Sequence, residues 1–63
     1  MESFYDVQQL LKKFGIFVYT KDLQADVDLM EFELNELHSS GLLSTDDYIK
    51  AKLIIRNRVS KGI

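Results

Sequence analysis

A chain of 63 residues that contains no cysteine must hold itself together by packing alone. Below about 70–80 residues a single hydrophobic core is rarely sufficient, and natural domains of that size add disulfides, a metal or a partner. Without cysteine there is no disulfide framework, no cysteine-ligated zinc and no thiol nucleophile. Tight helix packing and self-association are the routes left. Proline is absent and glycine occurs only three times, which suits helices joined by short turns. With 46% hydrophobic and 29% charged residues the chain is globular rather than disordered. A single all-α domain over residues 1–63 is the expectation.

Caps and apolar spacing predict three helices. The first runs from about Phe4 to Phe14. Ser3 is placed to cap it, with Asp6 three residues on as the capping-box acid. Phe4, Val7, Leu10, Leu11 and Phe14 follow the spacing of one buried helical face, and Gly15 stands where a left-handed terminating residue is needed. The second runs from about Leu23 to Ser39, capped by Thr20 or Asp22 and ended by Gly41. Its Leu23, Val27, Met30, Leu34 and Leu37 step as a heptad-like seam. The third runs from about Thr45 to Ser60, with Ser44 and Asp47 three apart as its capping pair. Tyr48, Ala51, Ile55 and Val59 form its apolar stripe, widened by Ile49 and Leu53, with Ile54 off it. Leu42 and Leu43 are expected to pin the short turn between the last two helices, which makes those helices antiparallel neighbours.

Between the first two helices, Ile16-Phe17-Val18-Tyr19 is β-branched and aromatic and reads as extended. No second strand exists for it to pair with. It is expected to cross the bundle as a connector that buries Phe17 or Tyr19, with edge pairing to a second copy as the alternative. The architecture is therefore a compact three-helix bundle with an extended connector after the first helix. The expected core is Phe4, Val7, Leu11, Phe14, Val27, Met30, Leu34, Leu37, Tyr48, Ile55 and Val59.

No apolar run approaches the length of a signal or transmembrane segment, and Met1-Glu2-Ser3 begins with an acid. A cytoplasmic protein without a membrane partner is expected. The net charge of −2 hides a segregation: six acids and no base lie between Asp22 and Glu36, and five bases and no acid follow Asp47.

Nothing in the residues points to catalysis. His38 is the single histidine, and adjacent Ser39 does not face it on a helix. A histidine there suits the negative end of the helix dipole. Asp26 with Asp28, and Glu31 with Glu33, stand two apart, so each pair diverges by about 200° and converges on no metal. No calcium loop or glycine-rich phosphate loop is present. No enzymatic activity, cofactor, metal or small-molecule substrate is expected.

Two binding surfaces remain. Lys52 and Arg56 lie four apart on the third helix with Arg58 beyond them, and Tyr5, Gln8 and Lys12 lie on the exposed face of the first. A ring beside cations is how single-stranded RNA or DNA is held, by stacking and phosphate neutralisation. Acids early and bases late in the third helix also suit its dipole without any ligand. The second surface is Leu29 with Phe32 and Ala25, either the other half of the core or an interface for a homodimer.

The string Phe4-Tyr5-Asp6-Val7-Gln8-Gln9-Leu10-Leu11-Lys12, followed by Gly15 and Tyr19, resembles the YqgQ-like family of small bacterial proteins. Glu33-Leu34-x-Glu36-Leu37 is similar to that family's second helix. The resemblance covers nearly the whole chain, and its specific part is the N-terminal string. It implies a three-helix bundle from Gram-positive bacteria, cytosolic, with no assigned enzymatic activity and with single-stranded nucleic-acid binding as a proposed role. The third helix departs from the family pattern, so its basic residues are not carried over. Tyr5, Gln8, Gln9 and Lys12 lie in the matched string.

Overall fold

The computed structural model describes residues 1–60. Lys61 and Gly62 lie outside the described residues. Three helices are present, α1 (Phe4–Lys13), α2 (Leu23–Ser39) and α3 (Thr45–Ser60), and no strand occurs among the described residues.

The three helix starts and the ends of α1 and α2 have local causes. At the head of α1 the Ser3 hydroxyl accepts from the Asp6 N–H, and the Asp6 carboxylate accepts from the backbone N–H groups of Ser3 and Glu2. This satisfies donors that a helix start leaves open. Asp22 caps α2 by accepting from the Gln24 N–H, and Ser44 caps α3 by accepting from the Asp47 N–H. Both α1 and α2 end in the same way. Gly15 donates to the Lys12 carbonyl and Ile16 to that of Leu11; Gly41 donates to His38 and Leu42 to Leu37. This paired pattern needs a left-handed residue, and the two glycines supply it at φ +78° and +79°.

Packing directions follow from a few contacts. Phe4, at the start of α1, lies under the Arg58 guanidinium at the end of α3. His38, at the end of α2, stacks on Tyr48 near the start of α3. So α3 runs antiparallel to both other helices, and α1 and α2 point the same way. The chain must therefore travel back along the bundle between them. With 10 residues, α1 is about 15 Å long. Five extended residues, 16–20, span about 16 Å, which accounts for an extended link rather than a tight turn.

The core consists of Val7, Leu11, Val27, Met30, Leu34, Leu37, Leu43, Ala51 and Ile55. Phe4, Tyr48 and Val59 pack on it half-buried, as do Leu10, Ile16, Val18 and Ile54. Several expected positions differ. The connector buries Ile16 and Val18, while Phe17 and Tyr19 are 74% and 75% exposed. The cap geometry decides this: Ile16 is fixed over Leu11 by its hydrogen bond to the end of α1, and alternation turns Phe17 and Tyr19 outward. Phe14 sits past the last helical turn and stays partly exposed. On α3 the flanks are reversed from expectation. Ile54 shares its side with Arg58 and faces α1, whereas Ile49 and Leu53 point away from both neighbours and are exposed. Leu23 and Leu42 are also exposed, so Leu43 alone pins the last turn.

Candidate functional site

The sequence-predicted residues divide into two groups. Lys52 and Arg56 meet on the α2–α3 seam, where Glu31 holds both: its Oε2 lies 3.0 Å from Arg56 Nε and 3.9 Å from Lys52 Nζ. Lys52 Nζ also donates to the Tyr48 hydroxyl at 3.2 Å, and that hydroxyl donates to Asn35 Oδ1 at 2.6 Å. His38 closes the same cluster, with ring centroids 4.2 Å from Tyr48 and Nε2 3.1 Å from Thr45 Oγ1. This cluster clasps α2 to α3. Arg58 stands two positions beyond Arg56, which turns it about 200° around the helix and onto Phe4, 5.6 Å above the ring.

Tyr5, Gln8 and Lys12 lie at i, i+3 and i+7 and share one stripe of α1. A groove of about 470 Å³ opens between this stripe and the connector, with buried Leu11 and Met30 at its base and Lys12, Phe17 and Tyr19 at its edge. A second hollow, about 460 Å³, is bounded by Phe4, Lys21, Asp26 and Arg58. Gln8 and Tyr19 line both, so the two hollows are neighbours that meet at these side chains, and together they form a trough. The structure thus brings Gln8, Lys12 and Arg58 to one trough. Tyr5 is exposed beside it, and Lys52 and Arg56 line neither part among the described residues.

The electrostatics of the trough are one-sided. Its cations are Lys12, Lys21 and Arg58. Its acid among the described residues is Asp26, which is 6% exposed and already bonded. Asp26 Oδ1 accepts from the Thr20 N–H at 2.7 Å and from the Thr20 hydroxyl at 2.8 Å. This latch ties the end of the connector to α2 and fixes the two residues that flank Thr20, Tyr19 and Lys21. Lys21 takes a left-handed backbone, φ +71°, to make the turn into the Asp22 cap.

A model of the YqgQ-like proteins matches residues 1–61. The chain belongs to the YqgQ-like family. A relative, the uncharacterized protein YqgQ of Bacillus subtilis (strain 168), is 36% identical over 61 residues, which cover 97% of this chain and 86% of the relative. In this YqgQ-like chain α1 supplies Gln8 and Lys12 to one wall of the trough.

Three members of the trough escape a reading of the residues alone: Phe17, Tyr19 and Lys21. The signal for the rings was present as parity. Once Gly15 ends α1, Ile16 and Val18 must face inward together and Phe17 and Tyr19 outward together. Leu29 and Phe32 are exposed on α2, with Ala25 half-buried beside them. No group of three or more histidine, aspartate or glutamate side chains is placed to hold a metal among the described residues. No helix there is long and apolar enough to cross a membrane.

Proposed function

We propose that this YqgQ-like protein is a non-enzymatic, cytoplasmic binder of single-stranded nucleic acid, and that the strand lies in the trough between α1, the connector and the start of α2. The observation that carries this reading is the pair of exposed rings, Phe17 and Tyr19, flanked by Lys12, Lys21 and Arg58. Aromatic platforms take bases without regard to sequence, and cations along the same groove neutralise phosphates. Among the described residues no carboxylate lies within salt-bridge range of Lys12, Lys21 or Arg58. Lys52 and Arg56 are held by Glu31, so the trough cations replace them as the phosphate contacts.

Fluorescence anisotropy of labelled single-stranded RNA and DNA at about 50 and 200 mM salt tests the reading. Each phosphate contributes a slope of about −0.7 on single strands, so three cations weaken binding roughly 15- to 20-fold over that range. Salt-independent binding, or none from folded protein, rejects it.

A second reading is a homodimeric interaction module built on exposed Leu29 and Phe32. Two neighbouring apolar side chains on one helix face form a small patch of the kind that interfaces use. Sedimentation at high concentration separates the cases. A dimer that Phe32→Asp dissolves supports this second reading, and a monomer throughout removes it.

A further inference from the structure

We infer that Phe17 and Tyr19 each take one of two successive unpaired bases, so that the unit recognised is a dinucleotide step of a stretched single strand. This rests on the single-strand reading above and specifies its ligand. Four observations carry it. The rings are separated by one residue, Val18, which packs on the core. Both rings are about three-quarters exposed. Both line the same groove. Their connector alternates buried and exposed positions, as an extended chain does.

The spacing decides what can bind. Two residues along an extended chain advance about 6.6 Å. Successive residues of a duplex strand rise about 3.4 Å. Bases that remain stacked on each other therefore fall at about half the backbone separation of the two ring-bearing residues. A strand that offers one base to each ring has to be pulled out until neighbouring bases unstack, a separation within reach of one sugar–phosphate unit. Only a single strand can do this without breaking base pairs. The cations are arranged for such a strand. Lys12 edges the groove that holds Phe17, Lys21 and Arg58 edge the hollow beyond Tyr19, and a strand passing both rings crosses from one to the other. Gln8, on the wall common to both parts, is placed to hydrogen-bond a base edge or a sugar between them.

The backbone that carries the rings is tethered without any ligand. At one end the α1 cap seats Ile16 on Leu11, and at the other the Thr20 N–H and hydroxyl are fixed to Asp26. The two rings thus stand on a tethered backbone segment, which lowers the ordering cost of binding.

The test uses a short oligothymidylate and a set of strands of equal length in which all bases but one, two adjacent or three adjacent are replaced by abasic sugars. Affinity is read by anisotropy at low salt. The second adjacent base is expected to strengthen binding by roughly 5- to 150-fold, the range of one base–aromatic stack, and the third to add little. Phe17→Leu and Tyr19→Leu, both at exposed positions and checked for unchanged helix content, are each expected to reduce the two-base strand to the affinity of the one-base strand. If the fully abasic strand binds as well as oligothymidylate, with the same salt dependence, the protein reads phosphates only. The ring pair is then rejected while single-strand binding stands. If one base suffices and both leucine variants lose that same base, the rings sandwich a single base and the dinucleotide unit is overturned. If no strand binds, the functional reading falls and this inference with it.

Discussion

Thr20 is fixed to Asp26 twice over: its N–H and its hydroxyl both reach the same carboxylate oxygen, at 2.7 and 2.8 Å. Asp26 is buried in the first turns of α2, and Thr20 ends the connector. This contact anchors the segment that carries the exposed rings to α2.

Removing that acceptor should loosen the connector more than it harms the bundle. Asp26→Ala is expected to cost about 1.5–3 kcal/mol, the range for hydrogen bonds to a charged group. Asp26→Asn keeps an oxygen for both donors and should recover most of the loss. Urea unfolding checks the stabilities, and hydrogen exchange at the Thr20 amide checks the site. Equal destabilisation by Ala and Asn would mean that the charge, not the acceptor, is what matters.

The centre of the bundle should be much less forgiving. Leu34 and Ile55 are fully buried, on α2 and α3. Truncation of either to Ala should cost about 2–5 kcal/mol through lost burial and the cavity left behind. Since a small domain has only about 5–15 kcal/mol in total, either variant sits near the edge of folding. Thermal unfolding followed by circular dichroism is the check. A loss below about half a kcal/mol at Leu34, typical of a surface site, would contradict its place in the core.

Helix boundaries were legible because short-range chemistry sets them. Ser3 with Asp6, Ser44 with Asp47, Gly15 and Gly41 each act within a few residues, and each does in the structure what its position implies. The seam of α2 was legible for the same reason, since Val27, Met30, Leu34 and Leu37 repeat at helical spacing. What was not legible depended on where the third neighbour lies. Ile49, Leu53 and Ile54 are equally apolar, and only the docking of α1 on one side of α3 decides which of them is covered. Lys52 and Arg56 look free along the chain, yet Glu31, more than twenty residues earlier, sits opposite them once α2 and α3 pair. Asp26 looks like one more acid on a solvated face until the connector folds back over it. The connector itself combined both kinds of information: its extended character was plain, but its parity required reading the Gly15 cap and the alternation together.

The capping box of α1 should make stability depend on acid in a defined direction. The backbone N–H groups of Glu2 and then Ser3 hold the Asp6 carboxyl below the ordinary aspartate range. A carboxyl that binds its proton less readily when folded contributes stability above its unfolded value, and that contribution is lost as the pH falls through the lowered folded value. Comparison of wild type with Asp6→Asn by urea unfolding should therefore show a gap that is open at neutral pH. It should close as the pH falls below about 4, the ordinary aspartate range. A gap unchanged in strong acid would mean that shape, not charge, sets the cap.

Lys21 separates stability from binding at one position. Its left-handed backbone, φ +71°, is costly for a residue with a side chain, while the residue lines the hollow beside Tyr19. Glycine removes the steric cost of about 1–2 kcal/mol but adds about 0.5–1 kcal/mol of unfolded-state freedom, so Lys21→Gly should stabilise the fold by roughly 0.5–1 kcal/mol. The same change deletes one phosphate contact. Binding to a single strand should weaken, and the salt slope should become shallower by about 0.7. Urea unfolding and anisotropy over a salt series read the two effects on the same protein. A variant that is more stable yet binds with an unchanged slope would take Lys21 out of the trough and leave Lys12 and Arg58 as its cations. A variant that is less stable would mean that the lysine side chain contributes packing to the turn that outweighs its backbone cost.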